Sequence, residues 1–249
     1  MELKDKNISE VVIWLKLAIF DFNGTLFPKE TIPFLIKCWK KFGYSKFNLY
    51  KLYLRLAPLI MKYRYPFLTS MSIEEMKVEF MYRFVKIFKG LSEEEIEEYF
   101  AKVEKEASQY YNKSVLNHLK KCHKQGFEIV LLSGTFQELL NNVGNRLGAG
   151  CIIGSTILKD RKNNLDKFSV LSGSLKLKAV KNHYDTKDVD WEKSYAFADS
   201  IDDLTLLQAV GKPVAVEPDE YLFEVAKSES WKIINNHRGW IILCTMFIL

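Results

Sequence analysis

Residues 16–26 read KLAIFDFNGTL, an apolar run that halts at Asp21 and passes into the polar loop Asn23-Gly24-Thr25. A short apolar run bounded by a turn signal is the pattern of a strand buried on both faces. That it ends on a carboxylate matters, because ligands of open α/β sheets gather beyond the carboxyl ends of the strands. Four further runs read the same way: 128–133 (EIVLLS), 152–157 (IIGSTI), 194–198 (SYAFA) and 213–216 (PVAV). Longer helical patterns separate them. The expectation is an α/β fold with a parallel sheet and crossover helices, with chemistry from Asp21, Ser133 and Asp199 onward.

More than a hundred residues lie between the first two runs, far beyond a crossover connection, so most of that span is expected to be an inserted domain. It reads helical from Pro33 to about Ala107, with Pro58, Pro66 and Gly90 as punctuation. Ser92 followed by Glu93, Glu94 and Glu95 marks a capped, acidic helix start. From Thr31 to Ser70 there are eight lysines and arginines and no acidic residue, interleaved with aromatics such as Trp39, Phe47, Tyr50 and Tyr53. Two readings fit this stretch. One is a helical lid whose aromatics form a small core under lysine stems; the other is a face for a membrane or a nucleic acid.

The 249 residues, at ~150 per domain, suit one large domain or a core with a substantial insertion. Folding can bury about 73% of the surface of a chain this size, and a composition 48% hydrophobic supplies the core. Disorder and repeat arrays are excluded. The net charge of +5 favours anionic partners without pointing to nucleic acid. Cys38, Cys122, Cys151 and Cys244 are scattered with no CxxC spacing, so neither a disulfide framework nor a thiolate zinc site is suggested and a reducing cytoplasm is the expected home. The apolar stretch 11–20 is interrupted by Lys16 and has no small-residue cleavage site after it, so it is expected to be a strand and its approach, not a signal sequence.

Four segments carry the chemistry in order: Asp21-Phe22-Asn23-Gly24-Thr25-Leu26, Ser133-Gly134-Thr135-Phe136, Gly173-Ser174-Leu175-Lys176, and Asp199-Ser200-Ile201-Asp202-Asp203. Together they resemble the haloacid dehalogenase superfamily of phosphohydrolases, whose first motif is usually D-x-D-G-T. The helical insert after the first loop, the SGTF form of the second motif and the stretch 212–219 (KPVAVEPD) resemble its phosphoserine phosphatase-like branch. The resemblance implies a Rossmann-like core with helices on both faces of a parallel sheet, plus an inserted helical cap of the C1 type. The core would comprise residues 1–28 and 113–249, and the cap residues 29–112.

Phosphoryl transfer from a dianionic ester requires a nucleophile, a cation and donors to the nonbridging oxygens. The resemblance places Asp21 as the nucleophile that forms an aspartyl-phosphate. It assigns Mg²⁺ to Asp21, the Asn23 backbone carbonyl, Asp199 and Asp203. Ser133, Gly134, Thr25 and Lys176 would hold the phosphate, with Lys178 the second choice of lysine. Glu30 falls where phosphoserine phosphatases keep a substrate-recognising glutamate, and it also reads as an ordinary helix N-terminal acid. Lys77 and Arg83 are candidate cap cations for an anionic substrate tail.

One departure stands out. The family's second aspartate, which protonates the leaving group and then activates water, is here Asn23. An amide has no proton to give and is a poor base, and losing a general acid/base costs ~10²- to 10⁴-fold. Three readings follow: a slowed Mg²⁺-dependent phosphatase, a pseudophosphatase that binds a phosphorylated ligand or partner without turnover, and a variant of an active enzyme. A small soluble phosphomonoester is the expected substrate, and a lipid phosphate at a membrane surface is the rival. The rival rests on the basic aromatic stretch and on the apolar segment 239–249 (GWIILCTMFIL), too short to span a bilayer. That segment is expected to pack on the core, with an interfacial anchor or an altered terminus as the other readings.

Overall fold

A computed structural model of the chain describes residues 14–65, 70–159 and 165–235. The predictions for residues 11–13, for Pro66 and for the segment 239–249 therefore lie outside the described residues. The first run forms strand β1 (Leu17–Phe20), and every side chain of it is buried. Leu17 and Ile19 join one hydrophobic cluster and Ala18 and Phe20 another. A strand alternates its side chains across the sheet, so β1 has protein on both faces, as an all-apolar strand requires.

Four helices follow: α1 (Thr31–Lys41), α2 (Lys46–Arg64), α3 (Ile73–Val85) and α4 (Glu93–Ala107). The start predicted at Ser92 is present, a capping box in which Ser92 and Glu95 satisfy each other's backbone N–H. Ser72 and Glu75 build the same device for α3. Pro58 does not punctuate: it sits inside α2 on the exposed side, while Leu52, Leu56 and Leu59 of that helix are buried. Their packing outweighs the hydrogen bond that proline removes.

The core resumes with α5 (Lys113–Lys124), β2 (Glu128–Phe136), α6 (Gln137–Leu147), β3 (Cys151–Lys159), β4 (Leu165–Ser169), α7 (Ser174–His183), β5 (Tyr195–Ala198), α8 (Leu204–Gln208), β6 (Lys212–Val216), α9 (Glu220–Ser228) and β7 (Lys232–Ile234). The seven strands form one sheet in the order β4-β3-β2-β1-β5-β6-β7. All neighbours are parallel except β3 and β4, an antiparallel pair at the edge. The α/β fold is thus as expected, while β4 and β7 were not foreseen. Leu165–Ser169 carries two charged or polar residues between its apolar ones, and Lys232–Ile234 is three residues long, so neither has the apolar length that marks a buried strand.

Helices α5 and α6 pack on one face of the sheet through Val115, Leu119, Leu139 and Val143. Helices α7, α8 and α9 pack on the other through Val180, Leu206 and Leu222. The inserted helices share the first of these cores. Phe136 of β2 lies 5.6 Å from Phe84 of α3 and 5.5 Å from Phe100 of α4, ring centre to ring centre. Trp39, Tyr44, Phe88 and Tyr99 extend the aromatic cluster into the insert. Both ends of the insert meet where the Asn112 N–H donates to the Leu26 carbonyl at 2.9 Å. Among the described residues no helix is long and apolar enough to cross a membrane.

Candidate active site

The chain runs β1, β2, β3 in one direction across the sheet and then returns to lay β5 and β6 on the other side of β1. The crevice of such a sheet opens where the order reverses, between the carboxyl ends of β1 and β5. Asp21 follows β1 and Asp199 follows β5 at that point, and the Asp21 N–H donates to the Phe197 carbonyl at 2.9 Å.

Lys176 reaches the same point from the first turn of α7. Its Nζ donates to Asp21 Oδ1 and to Asp203 Oδ2, both at 2.8 Å, and all three side chains are buried. Lys178 is exposed, so the second choice of lysine is not brought to the site. Burial by itself would lower the Lys176 ammonium, but the two carboxylates outweigh it and the net shift is upward. Burial raises the carboxyl of Asp21, eased by Lys176 and aggravated by Asp203. Asp199 is pushed well above the usual carboxylate range, first by burial and then by the negative charges of Asp21 and Asp203. Three carboxylates thus face one ammonium.

Thr25 Oγ1 donates to Asp199 Oδ1 at 3.0 Å. Gly24, at φ +76°, permits this approach: a Cβ there would lie 1.9 Å from Asp199 Oδ2. The Asp199 loop is braced by Asp219, the N-cap of α9. The Asp219 N–H donates to the Asp199 carbonyl at 2.8 Å, and its Oδ2 accepts from the Ile201 N–H at 2.8 Å. Asp219 ends the stretch 212–219, and an aspartate before a helix is a recognisable capping signal.

Ser133 is fully buried within β2, and its Oγ accepts from the Thr135 N–H at 3.4 Å. The Gly134 carbonyl accepts from Ser155 Oγ at 2.8 Å, and a Cβ on Gly134 would meet the Leu171 carbonyl at 2.8 Å. The backbone between β4 and α7 therefore presses against this glycine. Ser155 and Leu171 lie far from it in sequence, and no local pattern marks them.

Asn23 is half-buried, and its side-chain carbonyl accepts a short hydrogen bond from the Thr31 hydroxyl. One lone pair of the amide oxygen is thus engaged, and the NH₂ remains a donor. Thr31, at the start of α1, is a partner that sequence reading did not single out. Lys77 lies 3.5 Å from Asp202 across the junction of α3 with the acidic loop, and both side chains are more than half exposed. Arg83 instead bonds Glu79 and the Arg55 carbonyl, both at 2.6 Å, within the inserted helices. Glu30 is exposed, stands at the N-cap of α1, and makes no capping hydrogen bond through its side chain.

Among the described residues no three histidine, cysteine or acidic side chains converge as a complete metal cage. Mg²⁺ does not require one: it typically takes one or two carboxylates and fills its remaining positions with water and substrate phosphate. The donor set fits that habit with Asp21 and Asp199 as direct ligands and Asp203 acting directly or through a water. Asp203 Oδ1 is buried without a hydrogen-bond partner, an oxygen that a cation would satisfy, and the carboxylates outnumber the one buried ammonium. A surface groove lined by Tyr195, Gly211, Lys212 and Trp231 opens at the amino ends of β5 and β6, the opposite end of the sheet, and holds none of these residues.

Comparison with known proteins agrees with the architecture. A probable phosphatase of Mycobacterium tuberculosis is 28% identical over 114 residues, covering 45% of this chain and 40% of that protein. The chain spans less than half the length of the curated relatives it matches. A solved protein of unknown function from Bordetella pertussis superposes with a TM-score of 0.74 at 16% identity, over 90% of this chain and 99% of that one. A probable phosphoserine phosphatase from Vibrio cholerae superposes at 0.61 with 14% identity, over 88% of this chain and 60% of that one. At such identities the superpositions speak for the fold. The sequence model of the haloacid dehalogenase-like hydrolases matches residues 18–208, from β1 through the acidic loop and α8, and the chain belongs to that family.

Proposed function

We propose that the chain is a Mg²⁺-dependent phosphomonoester hydrolase that works through an aspartyl-phosphate on Asp21 and is slowed by Asn23. The observation that carries this reading is the buried Lys176 bridging Asp21 and Asp203 at 2.8 Å each, beside a carboxylate oxygen with no partner. Such a centre is built for an incoming dianion and a divalent cation. Asp21, the Asn23 backbone carbonyl, Asp199 and Asp203 would hold the Mg²⁺, which when bound neutralises charge on the transferring phosphoryl group.

In the first half-reaction an Asp21 oxygen attacks phosphorus and the ester P–O bond breaks. Lys176, the Ser133 hydroxyl, the Gly134 N–H and Thr25 hold the nonbridging oxygens. The departing alkoxide takes its proton from water, because the Asn23 amide has none to give. In the second, water attacks phosphorus, the bond from phosphorus to the Asp21 oxygen breaks, inorganic phosphate leaves and the water's proton passes to solvent, because position 23 holds no carboxylate to take it. Both steps lose general acid/base assistance, on the order of 10²- to 10⁴-fold, and good leaving groups suffer least in the first.

Residues 29–112 act in this reading as a helical cap over a core of 1–28 and 113–249. The meeting of Leu26 with Asn112 supports those boundaries. A small phosphorylated metabolite is the substrate, with Lys77 and Glu30 at the cap margin as candidates for contacts beyond the phosphate. Cys38, Cys122 and Cys151, the cysteines among the described residues, are free and buried, which suits a reducing cytoplasm. The test is hydrolysis of p-nitrophenyl phosphate with Mg²⁺. Asn23→Asp should raise the rate more than tenfold, and Asp21→Asn in that background should abolish it. If neither the wild type nor Asn23→Asp turns over or forms a hydroxylamine-labile phosphoprotein, the reading fails.

A further inference from the structure

Helix α2 is apolar on two sides. Leu49, Leu52, Leu56 and Leu59 are buried in the inserted helices, while Phe47, Tyr50, Leu54 and Met61 are exposed at 64, 60, 58 and 50%. These four are half of the large hydrophobic side chains exposed among the described residues. At 3.6 residues per turn they fall, with Ala57 and Pro58, within about 100° of helix circumference, the width of an amphipathic helix's buried stripe. Here the stripe is left open to solvent.

The flanks of the stripe are cationic on both sides. Lys51, Arg55 and Lys62 border one edge, and Lys46 and Arg64 border the other. The sequence from Thr31 to Ser70 contains no aspartate or glutamate. The stripe carries no serine, threonine, glutamine or carboxylate. Asn48, the helix's one carboxamide, turns inward and donates to the carbonyls of Ile87 and Lys89. Phe47 and Lys51 show the arrangement in miniature, the Lys51 ammonium sitting 4.0 Å from the centre of the Phe47 ring.

We propose that α2 is an interfacial helix that docks the protein on an anionic lipid surface, its Phe47, Tyr50, Leu54 and Met61 stripe entering the headgroup boundary while the flanking cations meet lipid phosphates. An apolar stripe between two rows of long cationic side chains is the form such helices take, the stems lying along the apolar face and the charges reaching out. The helix is about 28 Å long, enough to lie along a surface but not to span one as an amphipathic segment. A second copy of the chain fits less well, since a two-fold interface would set the five cations against five more. A protein partner would have to bring carboxylates to both cationic edges at once, and the stripe between them offers only the Tyr50 hydroxyl to hydrogen-bond. The proposal concerns where the protein sits and does not depend on the chemistry proposed for Asp21.

The test is vesicle flotation of the full chain with phosphatidylcholine alone and with phosphatidylcholine containing about one third phosphatidylserine. The wild type should float with the anionic vesicles, stay behind with the neutral ones, and be released by raised salt. Each cation near such a surface is worth about fivefold in partitioning, so Lys46→Gln/Lys51→Gln/Lys62→Gln should bind roughly 100-fold more weakly. Leu54→Ser/Met61→Ser should lose at least about tenfold. All five positions are at the surface of the fold, and unchanged circular dichroism checks that each variant is folded. Three results overturn the proposal: no flotation of the wild type, flotation of the charge variant within twofold of wild type, or a dimer in sedimentation velocity that Leu54→Ser dissolves.

Discussion

Gly24→Ala offers a way to isolate the placement of Asp199, because two glycines share a backbone conformation and differ in their surroundings. Gly24 has φ +76° and Gly126 has φ +73°. An alanine in the left-handed region costs roughly 1–2 kcal/mol at either position. At Gly126 nothing lies within 4 Å of an added Cβ, so Gly126→Ala should lose only that amount. At Gly24 the Cβ would sit 1.9 Å from Asp199 Oδ2 and 2.3 Å from its carboxyl carbon. Asp199 must then swing away and release the Thr25 hydroxyl, adding about 1 kcal/mol for the hydrogen bond. Urea unfolding without metal should therefore place Gly24→Ala about 1 kcal/mol below Gly126→Ala. The larger effect concerns the cation. A ligand at 100 times its dissociation constant stabilises a folded protein by about 2.7 kcal/mol; saturating Mg²⁺ should stabilise wild type and Gly126→Ala on that scale and leave Gly24→Ala nearly unchanged. If Gly24→Ala keeps the full Mg²⁺ increment, Asp199 is not a ligand held by this contact and the argument for the centre is wrong.

Lys176→Met removes the one ammonium between two buried carboxylates. Breaking a buried pair from one side costs about 3–5 kcal/mol, so unfolding in urea without Mg²⁺ should show a loss of that size; a loss below about 1 kcal/mol would mean that the bridge is not formed. Phe136→Ala removes a fully buried ring that touches both α3 and α4 from the sheet. It should cost about 3–5 kcal/mol in one cooperative transition, and a separate early transition of the inserted helices would contradict the shared core.

Much of the fold was legible because the sheet centre and the helix starts are written locally. An all-apolar run such as Leu17–Phe20 has no stable place except between two covered faces, and a serine three residues before a glutamate announces its helix. The short edge strands β4 and β7 were not legible, since their pairing comes from neighbours already in place and not from their own composition. Pro58 read as a stop for the same reason: its local preference was known, and the burial of Leu52, Leu56 and Leu59 that overrides it was not.

The sequence by itself determined the chemistry available: a carboxylate at the end of one strand, three more after another, a candidate lysine between them in the chain, and an amide where a proton shuttle is usual. Residue type fixes what a group can donate, accept or transfer. Tertiary structure alone decided which of those groups meet. Only the fold sets Lys176 between Asp21 and Asp203, Thr31 against Asn23, and the β4–α7 backbone onto Gly134. It also left one apolar side of α2 bare while burying the other. A sequence pattern shows that such a helix has two apolar sides, but which of them the protein covers depends on what else has folded against it.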